Sequence, residues 1–195
     1  MSAEAQEGTS ASTVGPADYA RACVESGALG RPLPAPPAHR FFTRRAACFV
    51  SLKKHGDLRG CIGTLEPAEP DLGAEIARNA RSAALHDPRS HSVCADELPA
   101  LVCSVDVLAP SEPCKLADLD PAVYGVIVLA GLRRGVLLPD LQGIDAVDQQ
   151  VGIALQKAGI GHGEAFSVER FTVSRYHEGE LPRDDQGDDS PTRPT

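Results

Sequence analysis

The sequence predicts an α+β fold: a largely antiparallel mixed sheet with flanking helices in a single compact domain. Apolar runs of strand length recur along the chain, at 46–52, 101–108 and 124–130. Two other stretches, 71–86 and 145–158, place their apolar residues at helical spacing. The two kinds of segment follow one another without the regular strand–helix–strand rhythm of a doubly wound sheet. A chain of 195 residues suits one domain of ordinary size plus tails.

The first element is a short helix from Pro16 to Ala28, with proline where its missing N–H costs nothing. The stretch Arg31-Pro32-Leu33-Pro34-Ala35-Pro36-Pro37 ends it and makes a semi-rigid connector. Ala46 to Leu52 reads as a strand, Lys53-Lys54-His55-Gly56-Asp57 as a turn, and Leu58 to Leu65 as the returning arm of a hairpin. Asp71 to His86 reads as a helix, with Leu72, Ile76, Ala80 and Ala83/Ala84 on one face and Asp71 near the N-cap. Leu101 to Leu108 alternates as a half-buried strand does. Tyr124 to Ala130 and Val136-Leu137-Leu138 form a second hairpin around Gly131–Gly135. Asp145 to Ala158 aligns Val147, Val151, Ala154, Leu155 and Ala158 on a helical stripe. Phe166, Val168, Phe171, Val173 and Tyr176 suggest a last strand with a phase shift near Arg170. Residues 1–15 and 178–195 are too polar to bury much surface and are expected to be disordered tails around a domain at 16–177.

Composition narrows the function. Hydrophobic residues make up 42% of the chain, but aromatics only 4%, so the core is built mainly from Ala, Val, Leu and Ile. A net charge of −8 argues against a broad nucleic-acid or anionic-membrane footprint, although much of the acidity sits at the two ends. No apolar stretch has the length of a membrane span and the N-terminus lacks a secretory pattern, so the expected location is cytoplasmic. The six cysteines contain no CxxC pair, which leaves neither a disulfide framework nor a zinc site in view. No cofactor or metal is expected.

The segment that carries chemistry is Leu58-Arg59-Gly60-Cys61-Ile62-Gly63-Thr64. Two glycines around one thiol leave its approach unhindered and let their N–H groups gather around an anion. Arg59, two residues before Cys61, favours the thiolate if its guanidinium lies near the sulfur. Cys61 and Arg59 are therefore the catalytic candidates, and Gly60, Gly63 and Thr64 candidate substrate-binding residues. A structural reading stands beside this one: Arg59 as an ion-pair partner, the glycines as a bend or bulge, and Cys61 as core filler.

The segment belongs to a longer pattern. Phe49-Val50-Ser51-Leu52-Lys53-Lys54, DLRGCIGTLEP from Asp57 to Pro67, Asn79-Ala80, Asp87-Pro88-Arg89, Glu97-Leu98, Tyr124-Gly125-Val126-Ile127-Val128, Arg133–Pro139 and Lys157-Ala158-Gly159-Ile160 together resemble the AMMECR-domain family. The same family is called AmmeMemoRadiSam system protein A in bacteria and archaea. The resemblance spans roughly 16–177 and implies a compact α+β protein with a cleft beside LRGCIG. It also implies a modification pathway shared with Memo-like and radical S-adenosylmethionine proteins, acting on an unidentified small molecule or peptide. Ser90 stands where the family usually has Phe, and the aromatic usual after Lys-Ala-Gly is missing near Gly161-His162-Gly163. Both departures bear on the shape of the cleft.

Asp87 and Arg89 match the family's DPR element. Arg89 could hold an anionic substrate group while Asp87 orients Arg59, or the two could make an ordinary ion pair after a helix stop. His86 and His91 are weaker partners for Cys61, and a metal set of Cys61, His86, His91 and Cys94 has no recognised zinc spacing. Two functions remain: an enzyme or enzyme subunit using Cys61 as nucleophile, or a non-catalytic module binding a peptide or partner loop.

Overall fold

The computed structural model describes residues 14–183. The outer parts of the expected tails, 1–13 and 184–195, lie outside the described residues. The described residues pack as two compact units, one formed by residues 14–107 together with 175–183, the other by Leu108–Ser174. The class is α+β, with two four-stranded sheets and flanking helices.

In the first unit, helix α1 (Pro16–Ala28) has Gly15 as its N-cap, and the Asp18 carboxylate accepts from the Gly15 N–H at 3.3 Å. The single turn α2 (Arg40–Thr43) seats Phe41 and Phe42 in the core and escaped the sequence reading, being too short to show a period. Strands β1 (Cys48–Lys54) and β2 (Asp57–Gly63) form the expected hairpin, and β1 also pairs antiparallel with β3 (Leu101–Leu108). Helix α3 (Leu72–Leu85) starts where Asp71 accepts from the Ala74 N–H at 2.8 Å. Val50, Leu52, Cys103 and Val105 from the sheet meet Ile76, Ala80 and Ala83 from α3 and Ala20 and Val24 from α1 in one core.

The second unit packs α4 (Val147–Ala158) on a sheet of order β4-β7-β5-β6, through Val126, Val128, Leu137, Val151, Ala154 and Val168. Its strands are β4 (Glu112–Pro113), β5 (Gly125–Ala130), β6 (Arg133–Leu137) and β7 (Ser167–Phe171). The last strand expected from the sequence is two. After β7, β8 (Val173–His177) joins the other sheet, in order β2-β1-β3-β8. The phase shift read near Arg170 marks this exchange of sheets, and the break falls at Thr172. Within residues 178–183 of the expected C-terminal tail, Glu178 accepts from the Cys103 N–H at 2.6 Å and the Gly179 N–H donates to Asp18 at 3.0 Å. Among the described residues no helix is long and apolar enough to cross a membrane.

Candidate functional site

The hairpin β1–β2 builds the site, and its register decides which side chains meet. Phe49, Val50, Ser51 and Leu52 oppose Gly63, Ile62, Cys61 and Gly60 in turn; Lys53 and Lys54 then oppose Leu58 and Asp57. Arg59 is the extra residue of a β-bulge. Past the bulge the alternation of β2 is reversed, so Leu58 takes the place that Arg59 would hold on the Cys61 side.

Arg59 is aimed elsewhere. Its Nε and Nη2 donate to the Glu97 carboxylate at 3.0 and 2.9 Å, a bidentate pair, and Lys54 Nζ donates to the same carboxylate at 3.0 Å. With the Cys94 N–H as a further donor at 3.1 Å, these bonds hold the Glu97 carboxyl well below the usual range, Arg59 contributing most. The guanidinium expected beside the Cys61 sulfur thus fastens the turn that precedes β3.

The cation on Cys61 is Arg89. The Cys61 N–H donates to Asp87 Oδ2 at 2.9 Å, and the Cys61 carbonyl accepts from Arg89 Nη2 at 2.7 Å. Arg89 also grips Asp87 through Nε at 2.9 Å and Nη2 at 2.7 Å. The Asp87 side chain is only 2% exposed, yet these donors, chiefly the Arg89 guanidinium, keep its carboxyl well below the ordinary value. Arg89 is raised first of all by its bonds to Asp87. The DPR turn thus serves β2 in place of a neighbouring strand: Asp87 takes the outward N–H and Arg89 the outward carbonyl. Asp87 orients Arg89 and Cys61, where the sequence suggested Arg59.

Both glycines permit close approach. A Cβ at Gly60 would stand 2.4 Å from the Ala83 carbonyl oxygen of α3, and one at Gly63 would stand 2.3 Å from the Phe49 ring. The Thr64 hydroxyl turns inward and donates to Glu75 Oε1 at 2.6 Å. Glu75 is fully buried; its Oε2 accepts from the N–H groups of Ala68 and Glu69, both at 2.8 Å. Asn79 donates to Glu75 at 3.3 Å and to the Cys48 carbonyl at 3.0 Å, where the Thr64 N–H also donates at 3.1 Å. Glu75 and Asn79 thus hold the strand end against α3.

Cys61 itself is half-buried, and its sulfur accepts from the Ser51 hydroxyl at 3.3 Å. Cys23, Cys48 and Cys103 are buried, and burial pushes their thiols up to about 11, about 12 and about 12 respectively. Cys94 is exposed, as are His86 and His91. Among the described residues no group of three or more His, Cys, Asp or Glu side chains is placed to hold a metal ion.

Ser51, Glu75, Asn79 and Glu97 escaped the sequence reading as site residues. For Glu75 and Asn79 a signal existed, since both fall on the stripe set by Leu72, Ile76, Ala80 and Ala83, where a polar residue needs a partner.

Comparisons with known proteins agree with this architecture. A Thermotoga maritima protein is 51% identical over 138 residues, covering 69% of this chain and 79% of the relative. A Clostridium acetobutylicum protein is 50% identical over 130 residues, which is 67% of this chain and only 28% of that longer protein. The crystal structure of an uncharacterized Pyrococcus horikoshii protein matches with a TM-score of 0.73 at 26% identity, over 86% of this chain and 92% of that one. The AMMECR1 family matches residues 17–180, nearly everything the structure describes, and the chain belongs to that family.

Proposed function

We propose that the protein is an enzyme or enzyme subunit in which Cys61 is the nucleophile and Arg89 binds an anionic group of the substrate. One observation carries this reading: a half-buried thiol on an outer strand has a guanidinium anchored on its own carbonyl at 2.7 Å. That Arg89 side chain is still 59% exposed, so it has capacity for a ligand. In the proposed step the Cys61 thiol loses its proton to solvent, and a sulfur lone pair forms a bond to an electrophilic carbon. The bond from that carbon to its leaving group breaks, and the pair departs with the leaving group. Asp87 keeps Arg89 and the Cys61 N–H in place. Arg59, Gly60, Gly63 and Thr64 shape the strand through Glu97, α3, Phe49 and Glu75. A cytoplasmic setting and Memo-like and radical S-adenosylmethionine partners belong to the same proposal and rest on the family resemblance.

A second reading, a non-catalytic module for a peptide or partner loop, is favoured by a different observation. Leu58 and Val102 are 58% and 52% exposed and flank Lys53 in one row across the sheet. Alkylation separates the two readings. With iodoacetamide at pH 7 and peptide mass spectrometry, Cys61 is expected to label roughly threefold or more faster than the exposed thiol of Cys94. Equal or slower labelling would sink the nucleophile and leave the docking module.

A further inference from the structure

Ser51 stands directly opposite Cys61 in the β1–β2 register. Both main-chain groups of Cys61 are directed outward, the N–H to Asp87 and the carbonyl to Arg89. Ser51 and Cys61 are therefore a non-hydrogen-bonded pair, the kind whose Cα atoms come within about 4.5 Å and whose side chains lie closest. The Leu52/Lys53 irregularity begins one residue later, so the bulge that removes Arg59 leaves this pair intact. The Ser51 hydroxyl donates to the Cys61 sulfur at 3.3 Å, and both residues are half-buried.

We infer that Ser51 is a positioning residue for Cys61, its hydroxyl donating to the sulfur so that the thiolate is favoured and held in one orientation. This rests on the reading of Cys61 as nucleophile. A hydroxyl that donates to sulfur gains most when the sulfur is an anion, since charge-assisted hydrogen bonds are roughly twice as strong as neutral ones. Ser51 keeps its own proton throughout; the proton lost from Cys61 goes to water. Arg89 supplies the positive charge and Ser51 the directed bond, which divides between two residues the role that sequence proximity assigned to Arg59.

The pH profile of Cys61 alkylation by iodoacetamide tests this in the full chain, with Cys94 as the internal reference. Ser51→Ala is expected to move the profile to higher pH, slowing Cys61 by roughly three- to tenfold below the midpoint. The high-pH plateau and the Cys94 rate should stay unchanged. Ser51→Thr, which keeps the hydroxyl, is expected to restore the wild-type profile. A Ser51→Ala profile that superimposes on wild type overturns the inference and leaves the nucleophile standing. So does uniform slowing at every pH, which reports a structural role. If wild-type Cys61 labels no faster than Cys94, the nucleophile reading fails first and takes this inference with it.

Discussion

Asp87 is a charged group almost closed off from water, and four donors account for it: the N–H groups of Cys61 and Arg89, and Nε and Nη2 of Arg89. Because its folded pKa is depressed below the ordinary 3.8, its contribution to stability is fully present above that value. The contribution is lost as pH falls through the folded value. Asp87→Asn keeps an acceptor for the Cys61 N–H but removes the charge that holds Arg89. The variant should be less stable than wild type by about 1–3 kcal/mol at pH 7. The gap should begin to narrow at about pH 4 and go on narrowing as pH falls further towards the folded value, because only the wild type has this charge to lose. Urea midpoints measured at several pH values would show it; curves that stay parallel into acid would mean that Asp87 is not stabilised as its bonds imply.

At the scale of elements, the hairpin shows how much of the site could be read in advance. The segments of β1, β2 and α3 are legible because apolar period and turn residues are local properties. The closeness of Gly60 to α3 and of Gly63 to Phe49 is legible as an expectation of close backbone approach, which glycine at such positions implies. The direction of Arg59 is not. Strict alternation places residues 59 and 61 on one face, and only the pairing with β1 reveals that an extra residue intervenes. Nor can spacing alone bring Asp87 and Arg89 to Cys61 across a whole helix, although the family pattern named all three. The bulge separates two roles. Arg59→Ala should cost about 1–3 kcal/mol by leaving the Glu97 carboxylate short of its best partner, while changing the Cys61 alkylation rate less than roughly twofold. Arg89→Ala should slow Cys61 roughly threefold or more at pH 7. If Arg59→Ala slowed Cys61 as strongly as Arg89→Ala, the bulge would not isolate the two cations.

Across the whole molecule, the cysteines sort by environment and so report on cooperativity. Cys23 on α1, Cys48 on β1 and Cys103 on β3 lie in one core of the first unit, drawn from three elements far apart in sequence. Their thiols are enclosed, and burial raises all three. An alkylating reagent therefore reaches them only when the core opens, and the labelled fraction follows the free energy of that opening. If α1 and the sheet melt as one body, as a shared core requires, all three should become reactive along a single urea transition with a common midpoint. Cys61 and Cys94, which need no opening, should label before it begins. Pulsed alkylation with peptide mass spectrometry at each urea concentration makes the measurement. Early labelling of Cys23 alone would show that α1 detaches before the sheet; Cys61 would then keep its Ser51, Asp87 and Arg89 partners while the helix was lost, because none of those residues belongs to α1.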